Sequence, residues 1–169
     1  MDYAEKLGWA LHVLWRRRRY NDYPVASLYA WLIPAARARQ LEIFVDPDHG
    51  VIGYMTWALL SESVETKWIQ GSSEVWHVSE WNEGTRLWII DFVPLKGHER
   101  RCLYHVVKKL ILCGEARYIR RSANGRRHIA ATLCTNDSTA KLLLKKIEVR
   151  TVPCATYANA QSSARNGNR

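Results

Sequence analysis

The sequence predicts a mixed α/β domain, and three features carry that prediction. Apolar residues recur at helical spacing near the N-terminus and again after Gly97. Two apolar runs flank a strong turn signal around residues 46–50 and read as an antiparallel hairpin. A continuous apolar strand, Leu87 to Val93, directly precedes the second clear helix. Helices followed by strands, with a helix between later strands, define the class. At 169 residues the chain is long enough to bury one substantial core. A single domain over 1–154 is expected. Residues 155–169, rich in Ala, Asn, Ser, Gly and Arg, read as a disordered tail.

In chain order, residues 4–15 form an amphipathic helix. Leu7, Leu11 and Leu14 share one face, with Ala4, Ala10 and Trp15 beside it. The helix runs into Arg16-Arg17-Arg18-Arg19, then Tyr20-Asn21-Asp22-Tyr23-Pro24, where proline disfavours helix just before it. A second helix, Val25 to Leu32, is expected to stop near Pro34. Leu41 to Val45 and Val51 to Trp57 are the hairpin strands around Asp46-Pro47-Asp48-His49-Gly50. Leu60 to Gln70 reads as a helix broken by Gly71-Ser72-Ser73. Trp81 to Gly84 is a loop entering the strand Leu87–Val93, which contains Asp91 and ends at Pro94 and Gly97. His98 to Cys113 is a helix with Cys102, Val106, Leu110 and Cys113 as its apolar stripe. A fourth strand is expected over Arg127–Cys134. A last helix is expected over Thr139–Ile147, with caps offered by Asn136-Asp137-Ser138.

The net charge of +9 predicts attraction to an acidic partner, whether nucleic acid, an anionic membrane or an acidic protein. The four cysteines lie far apart without a Cys-x-x-Cys pair, and His49, His77, His98, His105 and His128 lack ligand spacing. No metal site is expected, and the thiols read as reduced. The longest apolar run, Val51 to Leu60, falls far short of the roughly 20 residues that span a bilayer. Asp2 and Glu5 lead the chain and the basic cluster follows the apolar stretch, the reverse of a secretory signal. A soluble, cytoplasmic protein is expected.

Several further blocks stand in order along residues 5–122: Leu7-Gly8; Tyr23-Pro24-Val25; Ile33-Pro34-Ala35 with Gln40; Thr56-Trp57-Ala58 with Leu60-Ser61; and Trp81, Gly84, Arg86, Trp88, Ile90-Asp91 and Gly97. Lys108-Lys109 and Arg117 to Arg120 follow as a basic segment. In these blocks the chain resembles the toxin-activating lysine acyltransferases, which attach a fatty acyl group to lysines of an RTX protoxin. The resemblance implies a GNAT-like fold, a central mixed and mostly antiparallel sheet flanked by helices. It also implies acyl carrier protein as donor, the protoxin as substrate, no permanently bound cofactor and a homodimer.

That family's catalysis is attributed to a histidine and an aspartate. The aspartate corresponds to Asp91. The histidine position, four residues before Pro24, holds Tyr20. A family serine corresponds to Arg17, and a family asparagine falls near Leu32. His12 lies well inside the first helix and does not replace the histidine. Acyl transfer to lysine needs a base for the ammonium, donors for the oxyanion and an acid for the departing thiolate. A phenol with a reference pKa near 10 is a poor base at neutral pH but a competent donor. Asp91 is therefore assigned as proton acceptor and Tyr20 as the acid. Arg16, Arg17, Arg18 and Arg19 are assigned to the acidic carrier protein or its phosphopantetheine phosphate.

Other readings fit the same residues. Asp91 could be a structural partner of Arg86 or of a basic residue elsewhere. The chain could be a silent relative that binds protoxin or carrier protein without chemistry. It could also be a basic nucleic-acid-binding domain, with Trp15 and Tyr20 stacking on bases, or touch a membrane peripherally. Of these, nucleic acid is the partner least expected. The eight tryptophans are expected in the core or in the wall of an acyl groove. Asn136 with Ala140 and Leu143 weakly resembles the helix that flanks the cofactor in GNAT-type enzymes. Leu144 stands where many of those enzymes carry an acidic tyrosine.

Overall fold

A computed structural model of the chain describes residues 1–20, 22–71, 76–110, 115–121, 128–135 and 142–146, the last two segments as backbone. The expected tail 155–169 and the caps at 136–138 lie outside the described residues.

Helix α1 spans Tyr3–Trp15, and its Asp2 cap accepts from the Glu5 N–H at 2.8 Å. Its buried face is Ala10, Val13 and Leu14, with Leu7 packed beside them. The core face is thus rotated from the expected one: Leu11 is 40% and Trp15 75% exposed. Helix α2 spans Val25–Arg37 and passes through Pro34, correcting the expected stop. Pro34 has no N–H for the preceding turn. The helix nevertheless continues, because Leu32, Ile33, Pro34 and Ala35 are all buried and the Ala38 N–H returns to the Pro34 carbonyl at 2.9 Å. Packing outweighs the missing bond.

Strands β1, Leu41–Asp46, and β2, Gly50–Leu60, form the expected hairpin. Asp46 closes the turn by accepting from the Asp48 and His49 N–H groups at 3.1 and 3.2 Å. Gly50 takes the left-handed φ of 67° there. Strand β2 extends past Trp57, so helix α3 begins only at Glu62, capped by Ser61, and ends at Gln70 before left-handed Gly71. A short 3₁₀ turn, Val78–Trp81, leads into the loop expected over Trp81–Gly84. The next glycine has a steric reason. A Cβ on Gly84 would lie 2.0 Å from the Leu60 carbonyl oxygen, while its own N–H bonds the Leu59 carbonyl at 2.9 Å.

Strand β3 spans Arg86–Pro94 and helix α4 Glu99–Leu110. Strand β4, Glu115–Arg121, was not expected, because its charged run EARYIRR hides the alternation of a strand. Strand β5, His128–Thr135, is the strand expected just upstream of this position. The final element is a correction: Leu142–Lys146 is strand β6, paired antiparallel with β5, where a helix was expected. A run of three leucines suits either period, and the free edge of β5 supplies the backbone partners. The weak likeness to a cofactor-flanking helix falls with it.

The sheet order is β1-β2-β3-β4-β5-β6. All neighbours are antiparallel except β3 and β4, which run parallel and share only Trp88↔Arg117 and Ile89↔Tyr118. One face carries α1 and α2 over Leu41, Ile43, Tyr54, Val93 and Leu95. Farther along that face, α3 and the 3₁₀ turn cover Ala58, Leu60 and Trp88. The opposite face carries α4, with Cys102 and Val106 against Phe44, Met55, Leu87 and Ile89. Burial pushes the Cys102 thiol up to about 12, so it stays protonated in the core. No helix among the described residues is long and apolar enough to cross a membrane.

Candidate active site

Asp91 reaches its position through an irregularity in β3. Along β2, alternation is regular: Tyr54, Ala58 and Leu60 pack under α1, α2 and α3, whereas Met55, Trp57 and Leu59 pack toward α4. Strand β3 begins in the same way, with Leu87 and Ile89 toward α4 and Trp88 on the other face. The register then slips. Thr56 faces Asp91, but Trp57 faces Ile89, which leaves Ile90 as an extra residue. This bulge lets Ile90 and Asp91 leave the α4 face together, with Phe92 back against Phe44. Strict alternation would send the carboxylate toward α4. The bulge turns it toward α1 and α2 instead.

Two hydroxyls from β2 meet Asp91 there. Its backbone N–H donates to Thr56 Oγ1 at 3.1 Å, replacing a ladder bond that the bulge disrupts. The Tyr54 hydroxyl donates to Asp91 Oδ2 at a long 3.4 Å. Tyr54 and Thr56 are both fully buried, and Asp91 is half-buried. Burial, then the charges of Asp91 and Tyr20, then the bond to Asp91 push the Tyr54 phenol well above its usual range. It therefore remains a donor to Asp91 at any ordinary pH.

The remaining wall is aromatic. Tyr20 ends the 3₁₀ turn Arg18–Tyr20, held by its N–H on the Arg17 carbonyl at 2.8 Å, and packs half-buried against the core that contains Tyr54. Tyr20, Tyr23 and Trp31 follow one another at centroid distances of 5.8 Å. The buried Trp31 indole N–H makes no hydrogen bond within 3.5 Å, yet it lies close enough to Tyr54 to favour the ionised phenol. Of the two residues expected as partners, Asp91 accepts from the Tyr54 hydroxyl, and Tyr20 packs against the core cluster that contains Tyr54. Arg86, the alternative partner for Asp91, is bound instead to Glu62 at 3.2 Å and Glu65 at 3.3 Å. His12 is exposed on α1, with its ring against Trp9.

The arginine run does not share one environment. Arg16 and Arg18 are exposed, Arg17 is half-buried, and the Arg19 side chain is outside the described residues. Asp46, Asp48 and His49 bring one ligand atom each within 4.8 Å. Asp46 already serves as partner to His49 at 2.7 Å and to Arg101, which gives its charge a structural use.

Sequence reasoning missed Tyr54, Thr56 and Trp31 as site residues. A signal for the first two exists: they stand two apart on an apolar strand, so both hydroxyls share one face. Trp31 carries no such signal, because an indole in an amphipathic helix reads as core.

A carboxylate, two phenols and an aromatic wall are groups that can hold and move a proton. The profile of the RTX toxin acyltransferase family matches residues 1–131. A leukotoxin-activating lysine-acyltransferase of a Pasteurella haemolytica-like species is 37% identical over 87 residues, 52% of this chain and 52% of that protein. A protein-lysine myristoyltransferase of Kingella kingae is 27% identical over 149 residues, 88% of this chain and 87% of the relative. One of the same description from Escherichia coli is 28% identical over 90 residues, 53% of this chain and 50% of the relative. The chain thus spans about half the length of the first and third of these relatives and most of the second. The family match covers α1 through the described start of β5, including both strands that build the site, so the chain belongs to the RTX toxin acyltransferase family.

Proposed function

We propose that this chain transfers a fatty acyl group from acyl carrier protein to internal lysines of an RTX protoxin, and so activates the toxin. One observation carries the reading: a bulge aims Asp91 at a buried Tyr54 that stays protonated, with Tyr20 packed against the same core cluster. The lysine ammonium gives a proton to Asp91, directly or through water, and the neutral amine attacks the thioester carbonyl. The carbon–nitrogen bond forms, the carbon–sulfur bond breaks, and the thiolate takes a proton from Tyr20. The second amine proton returns to Tyr20, and Asp91 releases its proton to solvent, so both groups are restored and one proton leaves overall.

A GNAT-like architecture suits this reading. Helix α4 lies between β3 and the parallel β4, which pair among the described residues at Trp88↔Arg117 and Ile89↔Tyr118. The same reading takes residues 1–154 as one cytoplasmic domain, working as a homodimer. Arg16 and Arg18 would face the acidic carrier protein, whose thioester arm is the donor. No resident cofactor is required.

The test is direct. Incubation with acylated carrier protein and protoxin, read by mass spectrometry, is expected to show acylated lysine. Tyr20→Phe is expected to slow transfer about 10²-fold. A Tyr20→Phe protein as fast as the parent removes Tyr20 from the mechanism. A second reading, a silent relative that binds protoxin or carrier protein, is favoured by the phenol standing where the family histidine belongs. Carrier or protoxin binding by the parent protein without any transfer would establish it.

A further inference from the structure

A cleft of about 250 Å³ opens beside Arg16, away from Asp91. Its lining includes Arg16, His49, Lys96 and His98 over the apolar Val51 and Leu95. The four basic groups come from four places in the chain: the end of α1, the β1–β2 turn, the segment after β3 and the approach to α4. Among the described residues no carboxylate lines the cleft itself, although Asp46 and Asp48 cluster with His49 at its edge. Arg16 and Lys96 form no ion pair with any described residue. The imidazoles of His49 and His98 meet edge to face at 4.9 Å. Behind them, Asp46 holds His49 Nδ1 at 2.7 Å, and Arg101 occupies the other oxygen of Asp46. That carboxylate is occupied and fixes the ring.

Arg16 and Lys96 face one space with no ion-pair partner among the described residues, the carboxylates Asp46 and Asp48 standing at His49 only, and an anion between the two cations relieves their repulsion. The size limits which anion. About 250 Å³ lies below the roughly 300–1,000 Å³ of sites that engulf a drug-sized ligand. It suits a compact tetrahedral headgroup whose remainder stays outside. Arg16 offers the planar fork that grips such oxygens, and Lys96 offers a point charge.

We propose that this cleft binds the phosphate of a phosphate ester, and that the ester is the phosphorylated arm of the acyl carrier. The choice of arm rests on the acyltransferase reading; the phosphate chemistry does not. Leu95 stands four residues beyond Asp91 in nearly extended chain, so the cleft lies roughly 13 Å from the carboxylate. A linear arm anchored by its phosphate would have to cover that separation to present its thioester to Asp91.

The experiment titrates the full chain with inorganic phosphate, pantetheine 4′-phosphate and unphosphorylated pantetheine. Calorimetry and the ring signals of His49 and His98 report binding. Both phosphates are expected to saturate and to shift both rings, with the ester at least about 10-fold tighter and pantetheine silent. Lys96→Ala is expected to weaken the ester about 10-fold, and Arg16→Gln with Lys96→Ala about 100-fold, with the circular dichroism of the fold retained. Lys108→Ala, an exposed charge on α4, is expected to change nothing. Equal affinity for the ester and inorganic phosphate overturns the arm as the source. Absence of saturable phosphate binding, or equal weakening by Lys108→Ala, overturns the site. Phosphate binding by a chain that acylates nothing would defeat the acyltransferase reading and the choice of arm, and leave the phosphate site standing.

Discussion

Two carboxylates on the same side of the sheet are treated in opposite ways. Glu65, on α3, is 8% exposed and surrounded by strong donors. The Trp88 indole N–H reaches it at 2.7 Å, Arg86 Nε at 3.3 Å, and Arg117 crosses from β4 to meet it. Arg86 and Arg117 are themselves shared with Glu62 and Glu115. Burial pulls the Arg117 guanidinium down, but its bonds to Glu115 and Glu65 more than reverse this. Asp91 is met by a phenol that stays protonated, at a long 3.4 Å, within an aromatic wall. A carboxylate held by two guanidinium groups is committed to its charge and ties elements together. Glu65 bridges the β3–β4 seam, and Asp91 is the carboxylate we propose as the base.

Substitution can break that contrast or sharpen it. Asp91→Asn keeps the shape and removes the base, so acyl transfer is expected to fall about 10²- to 10⁴-fold with little change in the urea midpoint. Glu65→Gln should do the reverse. Weakened pairs to two arginines that are about a third exposed are expected to cost about 2 kcal/mol in denaturant unfolding, with transfer by the folded protein within about threefold. Loss of transfer in well-folded Glu65→Gln protein would erase the distinction. Tyr54→Phe deletes one weak bond to Asp91, worth about 1 kcal/mol, so kcat is expected to drop about fivefold with KM unchanged.

A third carboxylate sets the pH scale for stability. The hydrogen bond from His49 lowers Asp46 to about 2; burial opposes that shift, while the Asp48 N–H and Arg101 assist it. A folded value below the ordinary one, near 3.9, means that its contribution is complete above about pH 4 and is lost as pH falls toward 2. Urea midpoints measured at pH 5 and pH 3 are expected to differ less in Asp46→Asn than in the parent. An unchanged difference would place the acid sensitivity elsewhere.

The legibility of the sequence follows the same physics. The first helix, the hairpin, β3 and α4 carry clean periodicity and stand where the pattern puts them, within a few residues. Pro34 misled because burial of its neighbours overrides a local breaker, and β6 misled because Leu142-Leu143-Leu144 has no period of its own. Strand β4 was hidden by Arg117, Arg120 and Arg121 in a place where charge suggests a solvated segment. In the site, Asp91 stood out as a carboxylate in an apolar strand, and Tyr20 through the resemblance. Tyr54 was passed over because a tyrosine in a strand is ordinary, and only the register of β3 against β2 makes its hydroxyl a neighbour of Asp91.

The one-residue slip near Ile90 also ties the length of this strand to its chemistry. Parity, and not only residue identity, decides on which side of the sheet the acid group emerges. Deleting Ile90 would give β3 an unbroken ladder and a more regular edge for β2. With one residue fewer between Ile89 and Phe92, plain alternation would keep Asp91 opposite Thr56 and on the Tyr54 side. The slip is what lets the strand carry Ile90 as well without turning the carboxylate over.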